Sequence, residues 1–184
     1  MNSIKTQPGY TLLELIIVIT LLSVLATMAA SSWSAAIADS RQRTQINEYR
    51  TFFNFARWQA ASMNTIVTVC PLNAAQNCVD DWEGPVHVFV DNDRDGRPDD
   101  DVLRVMRAPG NSFGVRSRTA GTGYFRFNET GMLHGRTGGL ISCSDSASIT
   151  LIYIAINKGG RFRVEYDRDK DGRITASSGD AISC

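Results

Sequence analysis

Between Tyr10 and Cys70 the chain has neither glycine nor proline, and between Lys5 and Arg41 it has no lysine, arginine or histidine. The first absence removes the residues that most often end or kink a helix, so one helix can run from Tyr10 to about Met63. The second leaves Thr11 to Ala30 with a single ionisable side chain, Glu14, and no basic side chain to balance it. An excess of charge is missing too: 19 Lys+Arg face 19 Asp+Glu, so net charge does not mark a nucleic-acid binder and charge has to be read locally. The four cysteines, Cys70, Cys78, Cys143 and Cys184, contain no C-x-x-C spacing, which argues against zinc. Only two histidines occur. His87 alternates with strand valines and reads as a solvent-facing position.

What is present begins with the apolar run. At 184 residues the length suits one modest domain, with 43% hydrophobic and 21% charged residues. The stretch from Thr11 to Ala30 is about 20 residues, enough at ~1.5 Å per residue to cross a hydrocarbon core of about 30 Å. A secretory signal peptide has a shorter apolar region followed by its cleavage site. Here Gly9 precedes the run, so cutting after Gly9 leaves the span attached. A carboxylate inside such a span costs roughly 2.5–3.5 kcal/mol and calls for a partner or a function. The α-amino group released on Tyr10 by that cut, on a neighbouring subunit, would supply the partner.

The segment Pro8-Gly9-Tyr10-Thr11-Leu12-Leu13-Glu14-Leu15 resembles the processing site of type IV prepilins and type II secretion pseudopilins, with tyrosine in the usual place of phenylalanine. The resemblance implies cleavage after Gly9 by a prepilin peptidase, N-methylation of Tyr10, and filament assembly through the N-terminal helix. Glu14 then sets the axial register.

Beyond the span, Ile46, Tyr49, Phe53, Ala56, Ala60 and Met63 recur at spacings of three and four and form one apolar stripe. Arg41, Arg43, Arg50 and Arg57 fall mainly off it. After Met63 the texture turns to β: Ile66 to Cys70, Pro85 to Val90, Val102 to Arg107, Tyr124 to Asn128, Ile149 to Asn157 and Arg161 to Tyr166. Lys158-Gly159-Gly160 reads as a hairpin turn. The expected fold is α+β: a leader over 1–9, a transmembrane helix over 10–30, its amphipathic half over 31–63, and an antiparallel β domain over 64–184.

Cysteines on the exported side of an anchored protein favour disulfides. Sequence neighbours suggest Cys70–Cys78 and Cys143–Cys184 among three connectivities, and either pair implies an oxidising periplasm or cell surface. Two acidic loops, Asp91 to Gly96 and Asp167 to Gly172, match D-x-D-x-D-G, the opening of a calcium-binding loop. Neither has a glutamate at the twelfth position, where Val102 and Ser178 stand. The first, with Asp91, Asp93, Asp95 and Asp99, is the candidate calcium site; the alternative is a metal-free polar turn. Gly110-Asn111-Ser112-Phe113-Gly114 fits G-x-S-x-G, but strand-like residues and glycines follow in place of the helix a nucleophile elbow needs. No enzyme is expected.

Charge is segregated. Asp80 to Asp101 holds nine acids and two arginines, while Val102 to Leu140 holds six arginines and one acid. The body of the chain resembles the GspH/FimT family of minor pilins and pseudopilins through Val69-Cys70-Pro71, Trp82, Val88-Phe89-Val90-Asp91, Val102-Leu103-Arg104, Tyr124-Phe125-Arg126-Phe127 with Gly131, and Gly160-Arg161-Phe162-Arg163. This resemblance implies a minor subunit near a filament tip, priming assembly with other minor and major pilins or pseudopilins. It places the chain in the bacterial inner membrane by a single pass, with the C-terminal domain in the periplasm, and then in a pilus or pseudopilus. Gly160-Arg161-Phe162-Arg163 is also similar to the G-R-x-R element that FimT-like pilins use to bind double-stranded DNA in transformation, with Lys158 close by. The acids at 165, 167, 169 and 171 oppose that reading.

Overall fold

The computed structural model describes residues 10–107, 114–119, 121–135, 137–143, 151–169, 171–176 and 179–184, with backbone only at 28–32 and 34–35. One helix, α1, covers Leu12–Met63, unbroken as the missing glycine and proline predict. It begins two residues later than Tyr10 because Thr11 caps it: the Thr11 hydroxyl accepts the Glu14 N–H at 3.2 Å, and the Thr11 carbonyl accepts that of Leu15. The chain divides into two compact units, residues 1–40 and 41–184.

In the first unit the helix surface is apolar and uncovered, with Leu12, Leu15, Leu21 and Leu25 each more than 60% exposed. Thr20, Ser23 and Thr27 return their hydroxyls to backbone carbonyls within the same helix, which satisfies them without water. Among the described residues no helix is long and apolar enough to cross a membrane.

In the second unit the helix packs on antiparallel sheets, in keeping with the expected α+β fold. Among the described residues two four-stranded antiparallel sheets form, together with a small hairpin. The first runs in the order β3-β2-β1-β5, with β1 Val67–Pro71, β2 Val86–Val90, β3 Arg104–Met106 and β5 Phe125–Phe127. The second runs β4-β6-β7-β8, with β4 Gly114–Arg118, β6 Gly138–Cys143, β7 Ile152–Ile156 and β8 Phe162–Tyr166. The hairpin pairs β9 Arg173–Thr175 with β10 Ala181–Ser183. Part of the expected run Ile149 to Asn157 and most of the G-x-S-x-G segment, residues 110–113, lie outside the described residues.

Alternation decides the faces. Val67, Val69, Val86, Val88, Phe125 and Phe127 join the helix residues Ile46, Tyr49, Phe52, Phe53, Ala56 and Ala60 in one core, as do Leu140, Ile152, Ile154 and Ile156 of the second sheet. The opposite face of that sheet, with Ile141 and Tyr153, is covered by Ile174 and Ile182 of the hairpin. Met63, read as part of the stripe, is 50% exposed because it ends the helix beyond the sheets. His87 is a second correction. It is half-buried on the face turned away from α1, its Nδ1 has no hydrogen-bond partner, and burial pushes the imidazole below its usual value against the opposing pull of backbone at Pro85 and Cys70.

The centre is aromatic. The Phe53 ring lies 6.1 Å from Trp82, 5.2 Å from Phe125 and 5.5 Å from Phe162, centroid to centroid. One helix residue thus touches both sheets and the loop between β1 and β2. Phe53→Ala should cost about 3–5 kcal/mol of unfolding free energy in a urea melt, and a loss below ~1 kcal/mol would show that the ring is not the junction described.

Candidate functional site

Three places carry the residues singled out by sequence. The first is the start of α1. Gly9 lies outside the described residues, and Tyr10 is 90% exposed immediately before the cap. Glu14 stands in the first helical turn, where an acid favours the positive end of the helix dipole. Thr11-Leu12-Leu13-Glu14 is the T-x-x-E spacing of a capping box, a signal that was legible in the sequence and passed over there. The bond formed here uses the Glu14 backbone N–H, so what its side chain brings to the helix start is negative charge beside the dipole.

The second place is the acidic loop after β2. Asp91 is fully buried, and its Oδ2 accepts Arg126 Nη2 at 2.6 Å, Arg126 Nε at 3.0 Å and the Thr68 hydroxyl at 2.6 Å. Its Oδ1 accepts the Gly96 N–H at 3.2 Å. Arg126 Nη2 also donates to the Arg94 carbonyl at 3.0 Å, and its guanidinium stacks 4.6 Å from the Tyr124 ring. The other acids cap their own loop: Asp93 takes the Asp95 N–H, Asp95 the Arg97 N–H and Asp99 the Asn92 N–H. Carboxylate oxygens of Asp91, Asp93 and Asp99 come within 4.8 Å of one another, whereas Asp95, expected with them, stands outside that group. A disulfide from Cys70 to Cys78, with Cα atoms 5.6 Å apart, lies against Gly96, and Cys78 N–H donates to the Gly96 carbonyl at 3.0 Å. Arg126 is the residue sequence reasoning missed: it sits in a phenylalanine strand and is buried with the charge it neutralises.

The second acidic loop repeats the device. Asp167 is buried and its Oδ2 accepts the Gly172 N–H at 2.9 Å, as Asp171 accepts that of Arg173 at 2.8 Å. Gly96 and Gly172 take φ of +79° and +77°, the conformation that the glycine of D-x-D-x-D-G supplies without strain. Asp167, Asp169 and Asp171 also bring carboxylate oxygens within 4.8 Å. A second disulfide joins Cys143 to Cys184 across 41 residues and ties the hairpin to β6, where Arg116 Nη1 also reaches the Cys184 carbonyl at 3.4 Å.

The third place is the turn from β7 to β8. Asn157 N–H donates to the Arg161 carbonyl at 3.1 Å, and the Asn157 side chain accepts the Arg161 N–H at 3.0 Å, which closes the turn. Gly160 has φ +68°, and a Cβ there would strike the Gly131 carbonyl and the Arg57 side chain. Lys158, Arg161 and Arg163 are exposed. Arg161 precedes β8 rather than lying in it, and Arg163 is paired with Glu165 at 3.4 Å. The helix adds a basic residue that spacing did not reveal: Arg57 Nη1 donates to the Gly160 carbonyl at 3.4 Å.

A family of type II transport proteins, GspH, matches residues 45–174, and the prokaryotic N-terminal methylation motif matches residues 4–30. The chain belongs to the GspH family. Two crystal structures of the type IV minor pilin FimU of Pseudomonas aeruginosa share its fold, with TM-scores of 0.55 and 0.53 at 17% identity; each covers 67% of this chain, and 87% and 91% of the FimU chains. No curated protein matches in sequence. The chain thus joins an N-terminal methylation motif to a GspH-family body, and its likeness to FimU is one of fold. Within that fold the buried Asp91–Arg126 pair holds the first acidic loop. Arg126→Met removes the cation and leaves a buried carboxylate unpaired, so it should cost about 3–5 kcal/mol, while Asp91→Asn with Arg126→Met should recover part of that loss. Chemical denaturation of the two variants measures the difference, and equal stabilities would dismiss the pair as the loop's anchor.

Proposed function

We propose that this GspH-family chain is a non-catalytic filament subunit that primes assembly at or near a pilus tip. In this reading a prepilin peptidase cuts after Gly9, Tyr10 becomes the methylated amino end, and residues 10–30 anchor the chain once through the inner membrane. The domain over 64–184 then stands in the periplasm, where disulfides persist, until the subunit enters a pilus. The observation that carries the reading is the pairing of an exposed Tyr10 with a capped helix whose first turn bears Glu14. In lipid that carboxylate needs a cation, and the Tyr10 amine of an adjacent major or minor subunit is the one the sequence provides. A minor pseudopilin of type II secretion would use the same start; the FimU-like fold favours the pilus.

A second reading rests on a different observation. Lys158 and Arg161 stand exposed on the β7–β8 turn with Arg57 behind them, a group suited to the phosphates of double-stranded DNA in uptake. No resident cofactor is assigned. In the loop of Asp91, Asp93, Asp95 and Asp99, Arg126 supplies the positive charge that calcium would otherwise bring to Asp91.

Glu14→Gln removes the charge while keeping the shape of the side chain and the backbone N–H that Thr11 caps. The expected result is normal membrane insertion and processing with loss of the subunit from sheared filaments; normal incorporation would defeat the charge-pairing role. For the acidic loops, adding ~1 mM calcium should leave the thermal midpoint unchanged, and a saturable rise abolished by Asp93→Asn with Asp99→Asn would install a metal there instead.

A further inference from the structure

The sheets leave one side of α1 uncovered. Measured round the helix from Phe53 at about 100° per residue, Asn47, Thr51, Asn54 and Trp58 fall roughly 100–160° away. All four are exposed, Trp58 by 63%. Arg50 and Arg57 border this uncharged stripe on one side, roughly 10 Å apart along the axis. Arg57 is steadied there by its 3.4 Å bond to the Gly160 carbonyl. Phe55 borders the stripe on the other side, with the Arg104 guanidinium 4.9 Å over its ring. Glu48, the one acid between Arg41 and Met63, shares that second border about 10 Å nearer the start of the helix. An exposed tryptophan beside arginines has the composition of the energetic centre of an interface.

The chain also carries a surface of the opposite kind. In the first acidic loop Asp93, Asp95, Asp99, Asp100 and Asp101 are exposed against two exposed arginines, Arg94 and Arg97. Half-buried Pro98 and Val102 stand on either side of the last three acids. The loop is fixed at the far end of α1. There the Asn92 side chain accepts the Thr65 hydroxyl at 2.6 Å and the Ile66 N–H at 3.3 Å, and the Asp91 N–H donates to the Ile66 carbonyl at 3.0 Å. Arg50 lies roughly 20 Å back from Met63 along the helix axis. The buried Asp91–Arg126 pair and the Cys70–Cys78 bridge hold the loop in place, so it does not fold back onto its own Arg50.

We propose that the open side of α1 is the seat of the acidic loop of a second copy of this chain, with Asp100 and Asp101 against Arg50 and Arg57 and the Trp58 ring against Pro98. The proposal rests on the subunit reading above and gives that subunit a partner surface. Opposite charge selects the occupant: exposed acids outnumber arginines on the loop, and guanidinium groups stand along both borders of the stripe. Arginine's planar fork is preorganised for carboxylate, so little freedom is lost on pairing. The two surfaces differ and are offset along the helix, which makes the contact heterologous: of two joined copies, one still offers its loop and the other its flank. Copies joined in this way point in one direction and continue an open row, as a filament requires.

The test follows the full chain in detergent by sedimentation equilibrium at low and high salt. Wild type should self-associate, and more weakly at high salt, where exposed charges are screened. Arg50→Glu, and separately Asp100→Arg with Asp101→Arg, should each raise the dissociation constant about tenfold or more, because like charges then face each other. The bonds inside the loop go to Asp91, Asp93, Asp95 and Asp99, so the loop substitutions spare them. Trp58→Ala, at an exposed site, should weaken association and leave the thermal midpoint unchanged. A mixture of the two charge variants should associate again, since one keeps the loop and the other the flank; a folding defect would give no such recovery. No association by wild type, equal association by the charge variants, or no recovery in the mixture would each overturn the contact. Weaker duplex binding by Arg50→Glu with association intact would give the flank to nucleic acid and overturn it as well. Wild type missing from sheared filaments would sink the subunit reading, whereas association in detergent decides the contact by itself.

Discussion

The contact on which the rest of the domain depends is the one Phe53 makes with Trp82, Phe125 and Phe162. A helix and two sheets have three apolar faces to bury, and a stack in which one helix residue meets a ring from each sheet and one from the β1–β2 loop buries them together. Because Phe162 is the residue between Arg161 and Arg163, the same stack fixes where the β7–β8 turn lies. Burial at the centre therefore sets chemistry at the rim.

Away from the centre the chain uses one polar device twice. A strand ends in an aspartate that is buried, and a glycine five residues on returns its N–H to that carboxylate. The first copy adds Arg126 from a neighbouring strand and leans on the Cys70–Cys78 disulfide. Burial of a lone carboxylate is costly, and hydrogen bonds together with a guanidinium meet that cost where a calcium loop would use a cation. Both loops share one geometric demand with a calcium loop, that carboxylates gather around a tight glycine turn.

Much of this could be read in advance, and the failures have physical causes. The helix was legible because apolar spacing and the lack of breakers agree, and five of its six stripe residues, Ile46 to Ala60, are buried. The cysteine pairing joins sequence neighbours, over 8 residues in one bridge and 41 in the other. What escaped was division into two sheets: β6 opens on Gly138-Gly139, and β9 and β10 are three-residue strands in polar surroundings, so propensity gave no sign of them. Arg126 escaped because a charged residue in a strand reads as exposed until its partner is known.

The bond from Cys143 to Cys184 closes a loop that contains β7, β8, β9 and β10. A covalently closed loop cannot be drawn out by tension, so about 140 Å of extended contour, 41 residues at ~3.4 Å each, is withheld from any pull applied to the chain outside it. Under a retracting load the first sheet would yield before this half lengthened. The β7–β8 turn, with Lys158, Arg161 and Arg163, belongs to the inextensible half and would keep its spacing while the rest of the domain bore the strain.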